Sequence, residues 1–123
     1  MTKVKESSTL QHNKGLSALK CPITYAVNKI GGHWKPIILY YMMSGPKRYS
    51  ELKRAIPAIT EKMLAQHLKQ LKEDGLISRK VKQEMPPITI YSLTPSAKKL
   101  SPVLMAMADW AVKDSKLYKN IAT

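Results

Sequence analysis

Between Thr60 and Asp74 the sequence interleaves two kinds of residue at helical spacing. Leu64, Leu68 and Leu71 recur every three or four positions and make one apolar face. With those leucines turned inward, Glu61, Lys62, Ala65, Gln66 and Lys69 fall on the opposite or flanking side. Such a set can read DNA. A glutamine amide donates and accepts at once, so Gln66 can pair two-pronged with an adenine edge. Lys62 or Lys69 can reach a guanine edge or a phosphate. Thr60, immediately before the helix, can hydrogen-bond a phosphate that the helix N-terminus already favours. The plain alternative for any one such face is a solvated surface.

A second reactive group is the thiol of Cys21. It precedes Pro22 at a helix start, where the helix dipole and neighbouring Lys20 favour the thiolate. The plain alternative is a small side chain packed at an interface. Cys21 is the one cysteine of the chain, so any disulfide joins two subunits or captures a small thiol.

Three helices must frame the reading face for it to matter. Pro22 is suited to a first helical position, and Ile23, Ala26, Val27 and Ile30 give an apolar face that ends at Gly31-Gly32. A second helix is expected from about Trp34 to Met43, apolar nearly all round and hence central and buried. Ser44-Gly45-Pro46 is a turn, and Lys47-Arg48-Tyr49 suits a short edge strand. Ser50 is a credible N-cap for a short helix that Pro57 must stop near Ile56. Thr60 caps the helix Glu61 to Asp74, with Gly75 just beyond its end. From Leu76 the period changes: Leu76 to Gln83 and Ile88 to Leu93 are strand-like runs joined through Glu84-Met85-Pro86-Pro87. Thr94-Pro95 restarts a helix, and Pro102 calls for a kink or a restart capped by Ser101. The expected fold is mainly α with a small β-hairpin wing, a winged helix-turn-helix.

Charge supports the same use. The 123 residues carry 21 Lys and Arg against 8 Asp and Glu, a net charge of +13, which draws polyanions. Between Gly45 and Gln83 ten basic residues face four acidic ones. Arg48, Ser50, Arg79, Lys80 and Lys82 join the reading helix as candidate DNA contacts, the last three on the wing, where the adjacent backbone or minor groove would lie. Glu84 near the tip opposes this, because it would face phosphate.

The string Ile30-Gly31-Gly32-His33-Trp34-Lys35 carries a resemblance, as do Cys21-Pro22, Gly45-Pro46-Lys47-Arg48-Tyr49-Ser50-Glu51-Leu52 and Lys62-Met63-Leu64. Further matches are Leu68, Leu71, Asp74-Gly75-Leu76, Pro86-Pro87, Tyr91-Ser92-Leu93-Thr94, Pro102-Val103-Leu104 and Trp110. In this order, from about Lys20 to Val112, the chain resembles the HxlR-type branch of bacterial winged-helix regulators, relatives of the MarR group. The resemblance implies a homodimer on a pseudo-palindromic operator of double-stranded DNA, with the first and last helices in contact. Pro22, Ile23, Val27, Val103, Leu104, Met107 and Trp110 are then the candidate dimer residues. It also implies that a cysteine at position 21 senses oxidants or electrophiles in some relatives. The chain departs from the pattern at Ile88 and Ile90, where relatives carry polar residues on the exposed side of the wing strand.

The remaining residues point elsewhere or nowhere. His12, His33 and His67 lack metal-ligand spacing, so no metal or cofactor is expected; His67 is read as semi-buried and His33 as a cap-region residue. Trp34, Tyr40, Tyr41 and Trp110 suit core or interface. Met42, Met43, Met63, Met105 and Met107 suit core filling, or else an adaptable pocket for a small-molecule effector. No nucleophile–base pair or phosphate loop suggests an enzyme. There is no apolar run of about eighteen residues and no apolar leader in Met1–Lys20; with a lone cysteine, this places the chain in the cytoplasm and off the membrane. Residues 1–19 are expected as a flexible arm, 20–117 as the winged helix and 118–123 as a tail. The expected function is a DNA-binding transcriptional regulator, most simply a repressor. A winged-helix module for acidic proteins and an RNA- or ribosome-binding protein remain open alternatives.

Overall fold

A computed structural model describes residues 21–115. The expected arm over 1–19 and tail over 118–123 lie outside the described residues. The chain divides into two compact units at Lys35/Pro36.

In the first unit, α1 spans Pro22–Ile30, with Cys21 as N-cap and Pro22 in the first turn as its missing N–H allows. The helix stops at Gly31, whose N–H donates to the Val27 carbonyl at 2.7 Å. A Cβ at Gly31 would sit 2.2 Å from that same oxygen, so the close return of the chain requires glycine here. No residue of α1 is buried, and its expected apolar face leaves Ile23 and Val27 more than half exposed.

The second unit holds the core. Its elements are α2 (Lys35–Met42), β1 (Lys47–Arg48), α3 (Tyr49–Ala55), α4 (Glu61–Glu73), β2 (Ile77–Lys82), β3 (Ile88–Leu93), α5 (Pro95–Lys98) and α6 (Ser101–Asp114). The sheet is antiparallel in the order β1-β3-β2, so the wing hairpin is extended by the short strand that precedes α3. Ile38, Leu39 and Met42 from α2 are buried with Leu52, Ile56, Ile59, Leu64, Leu68 and Leu71, closed by Leu76, Ile77, Tyr91, Ala97 and Leu104. Each such aliphatic side chain, fully removed from water, stabilises the fold by about 1.5–3 kcal/mol.

Three local expectations change. The helix expected to be central and buried, α2, buries one side only; Tyr40 and Tyr41 stand exposed on the other because its apolar run exceeds what the core covers. Ser50 does not cap α3. The Glu51 carboxylate reaches back to accept the Arg48 N–H at 2.7 Å, so the helix starts at Tyr49 and Ser50 lies in its first turn. Pro102 marks a restart, yet Leu100 and not Ser101 is the cap: α5 ends at Lys98, and Pro102 takes an early position of α6 where no N–H is required.

Candidate nucleic-acid interface

Two helices and a short turn form the centre of this region. α3 ends where Pro57 forbids its continuation, and residues 56–60 carry the chain to Thr60. The Thr60 hydroxyl accepts the Met63 N–H at 3.1 Å, satisfying one of the donors a helix start leaves free. At the far end Gly75 adopts φ +77°, a left-handed conformation that costs glycine little. The Gly75 carbonyl accepts the Thr94 hydroxyl at 2.7 Å, and the same hydroxyl oxygen accepts the Ala97 N–H at 3.3 Å. One threonine thus ties the end of α4 to the end of the wing.

Leu64, Leu68 and Leu71 are 0 %, 1 % and 0 % exposed, which fixes the rotation of α4. Glu61, Lys62, Ala65, Gln66 and Lys69 all stand exposed on its other side, as expected. Within that set Lys62, Ala65, Gln66 and Lys69 form a continuous stripe one turn apart. His67 lies beside it, half-buried, with Nδ1 buried and without a hydrogen-bond partner among the described residues.

The crossing of α3 and α4 is pinned by a residue that local sequence signals assign to a strand. The Tyr49 hydroxyl donates to the Glu61 carbonyl at 3.0 Å, across twelve residues of chain. Burial, then the negative charge of Glu61, then Tyr91 push its pKa up, which keeps the phenol protonated as a donor. Nothing local announces this role, since the partner is the first residue of another helix. At the α3 end Lys53 Nζ donates to the Pro57 carbonyl at 3.3 Å. Tyr49, Ser50, Lys53, Arg54, Pro57 and Glu61 line an open cleft at this elbow.

The wing separates its three cations. Lys80 pairs with Ile90, which pairs with Arg48 on its other side, and Lys82 pairs with Ile88. Side chains alternate along a strand, so Arg48, Lys80 and Lys82 share the outer face of the sheet. Arg79 is paired with Tyr91 and lies on the other face, with buried Ile77 two residues before it, although its own side chain is exposed. The structure thus brings Arg48, Lys80 and Lys82 together and leaves Arg79 apart from them.

This geometry has known counterparts. The family model HxlR-like helix-turn-helix matches residues 29–118. The chain belongs to the HxlR-like helix-turn-helix family. It is 44% identical over 95 residues to the uncharacterized HTH-type transcriptional regulator YkvN of Bacillus subtilis (strain 168), covering 77% of this chain and 80% of that one. Among solved structures it is similar to the redox regulator HypR in its oxidized form, with a TM-score of 0.75, 38% identity and coverage of 78% and 99%. The reduced transcriptional regulator YodB of B. subtilis matches with a TM-score of 0.67 and 36% identity, covering 78% of this chain and 95% of that one. As an HxlR-like protein the chain is a winged helix of a regulator family and not an enzyme. Among the described residues no helix is long and apolar enough to cross a membrane.

The other candidates fall on separate surfaces. On α6, Val103, Met107 and Trp110 are exposed, Trp110 at 67 %, whereas Leu104 is 4 % exposed and packs inside its own chain. On α1, Pro22, Ile23 and Val27 are exposed. The methionines part company: Met42 fills core, Met63 and Met105 are exposed, and Met107 alone of the five borders a groove between α2 and α6. That groove is lined by Tyr40, Tyr41 and the small residues Ala108 and Ala111. Cys21 is partly exposed, and its neighbours at the start of α1, the Thr24 side chain first and then the Thr24 and Ile23 backbone, lower its pKa below that of a free thiol, although the thiol makes no capping hydrogen bond to the helix. This is how a helix start stabilises an anion at its N-cap.

Proposed function

We propose that this protein is a homodimeric transcriptional regulator that binds a pseudo-palindromic operator in double-stranded DNA and represses by occupying it. The observation that carries this is the exposed stripe Lys62, Ala65, Gln66 and Lys69 on the second helix of a helix-turn-helix, flanked by the cations of the wing. Gln66 reads a base edge, with Lys62 or Lys69 on a guanine or a phosphate and Ala65 against an apolar base edge. Arg48, Ser50, Thr60, Lys80, Lys82 and, from the other sheet face, Arg79 take the sugar-phosphate backbone and set the register. Glu61, at the helix start, excludes phosphate from its own side and favours a cytosine amino group.

Two exposed apolar faces are offered to a second copy: Ile23 and Val27 on α1, and Val103, Met107 and Trp110 on α6. Large apolar side chains left this open commonly mark protein contacts. Two copies on one duplex face then double the number of bases read.

The test uses fragments that the purified protein selects from genomic DNA. Gln66→Ala is expected to weaken binding to a selected duplex by about 1–3 kcal/mol while leaving random duplex nearly unaffected. Lys82→Ala is expected to weaken both alike. Equal losses on both duplexes for both variants would contradict the assignment of the reading face.

Cys21 is the proposed signal input. Its lowered pKa raises the thiolate fraction at neutral pH, and thiolate is the species that electrophiles and oxidants attack. The likeness to HypR and YodB, named as a redox regulator and solved after diamide treatment respectively, supports a thiol-reactive signal. Because the pKa is lowered, alkylation of Cys21 by iodoacetamide should persist to lower pH than alkylation of free cysteine. Diamide should release wild-type protein from a selected duplex and leave Cys21→Ser bound. Release of Cys21→Ser to the same extent would place the sensor elsewhere.

A further inference from the structure

The outer face of the wing holds apolar residues that these contacts leave unused. Ile88 and Ile90 share that face, with Lys82 across from Ile88 and with Lys80 and Arg48 on the two sides of Ile90. Both isoleucines keep part of their surface open. Beyond them Met85, in the hairpin tip, is 97 % exposed. The tip from Gln83 to Pro87 contains no cation and one carboxylate, Glu84. Charge therefore cannot hold the tip against DNA, although three cations frame the strip behind it.

We infer that the wing makes an apolar contact with the sugar wall of a DNA groove, Met85 at the tip and Ile88 behind it lying on deoxyribose. The deoxyribose rings are the apolar part of the backbone, and they lie between the phosphates that Arg48, Lys80 and Lys82 can reach. Proteins that enter the minor groove carry methionine, isoleucine and proline there as wedges between base steps, so such side chains are compatible with a DNA groove. Pro86 and Pro87 restrict the tip backbone, so docking Met85 orders little additional chain. An anionic membrane would also accept cations around apolar side chains. DNA is favoured because a cleft lined by Arg48, Tyr49, Ser50, Pro87, Ile88 and Thr89 joins this strip to the first turn of α3. The apolar strip therefore adjoins the helix-turn-helix. This inference rests on the DNA-binding function proposed above.

Sugar contacts carry no sequence information, so the full-length protein can be titrated onto fluorescent random-sequence duplex across a range of salt concentrations. Met85→Ala is expected to lower affinity about fivefold to tenfold at every salt concentration, with the slope of log K against log salt unchanged. Ile88→Thr, which keeps a β-branched strand residue, should show a smaller loss of the same kind. Lys82→Ala should instead reduce the slope by about one. Melting curves serve as the folding control, and Met85 is too exposed for its truncation to unfold the wing. Wild-type affinity in Met85→Ala, with the steep salt dependence intact, would overturn the apolar contact and leave DNA binding standing. Absence of duplex binding by the wild type would overturn both. Tighter, Met85-dependent binding to phosphatidylserine vesicles than to duplex would assign the strip to a membrane instead.

Discussion

Affinity for duplex DNA is expected to fall by about three orders of magnitude or more between about 50 and about 200 mM salt. The physical cause is counterion release. Each phosphate neutralised by a lysine or arginine frees about one condensed cation, and the entropy gained shrinks as bulk salt rises. Arg48, Lys62, Lys69, Lys80 and Lys82 are all exposed along the α4 face and the wing of one subunit, with Arg79 on the opposite sheet face. If about three to five of these engage phosphates in each copy, a dimer makes about six to ten such contacts, and the slope follows from that number. Measuring log K against log salt for the wild type therefore counts the contacts. A slope near that of one or two charges would mean that the +13 net charge is dispersed over the surface and is not directed at DNA.

The largest stability effect is expected at Leu68. Its side chain is 1 % exposed and lies between Leu64 and Leu71 on the inner face of α4. Leu68→Ala removes its buried methyl groups and leaves a cavity, at a cost of about 2–5 kcal/mol. For a domain whose total stability is about 5–15 kcal/mol this is a large share, and it should appear in urea unfolding as a lower midpoint with an unchanged m-value. Gln66→Ala, two residues away on the exposed face, should stay within about 0.5 kcal/mol of wild type. The pair tests the rotation of α4 independently of DNA. A neutral Leu68→Ala beside a destabilising Gln66→Ala would mean that the helix presents the opposite face to solvent.

These two expectations could be framed from the sequence because α4 and its surroundings are written in local signals. Leucines at helical spacing, a threonine cap and a glycine stop specify one amphipathic helix, and the structure finds that helix within a residue of its expected ends. The hairpin was legible as two short strand-like runs, Leu76 to Gln83 and Ile88 to Leu93, joined through Glu84-Met85-Pro86-Pro87, and the strands found are Ile77–Lys82 and Ile88–Leu93. Where the start of an element depends on a side chain reaching back, local signals failed: Glu51 moved the start of α3 away from Ser50, a residue with the better capping chemistry. Contacts between distant residues were not legible at all. The Tyr49–Glu61 hydrogen bond that fixes the helix crossing, and the β1–β3 pairing that puts Arg48 beside Lys80, depend on chain folding and leave no local trace. Apolar runs also overstate burial, as α2 and α6 show. Tyr40, Tyr41 and Trp110 read as core or interface, and the chain alone leaves all three open to solvent.

The face formed by Lys62, Ala65, Gln66 and Lys69 is thus fixed by buried leucines behind it and by Tyr49 at its start. A competition titration tests its proposed use most directly. The full-length protein would be held on a fluorescent duplex selected from genomic DNA and challenged with unlabelled duplex of the same or of random sequence. Sequence reading by this face predicts that the selected duplex competes at least about a thousandfold better than random duplex at near-physiological salt. Equal competition by the two would show binding through charge alone, and would contradict the account.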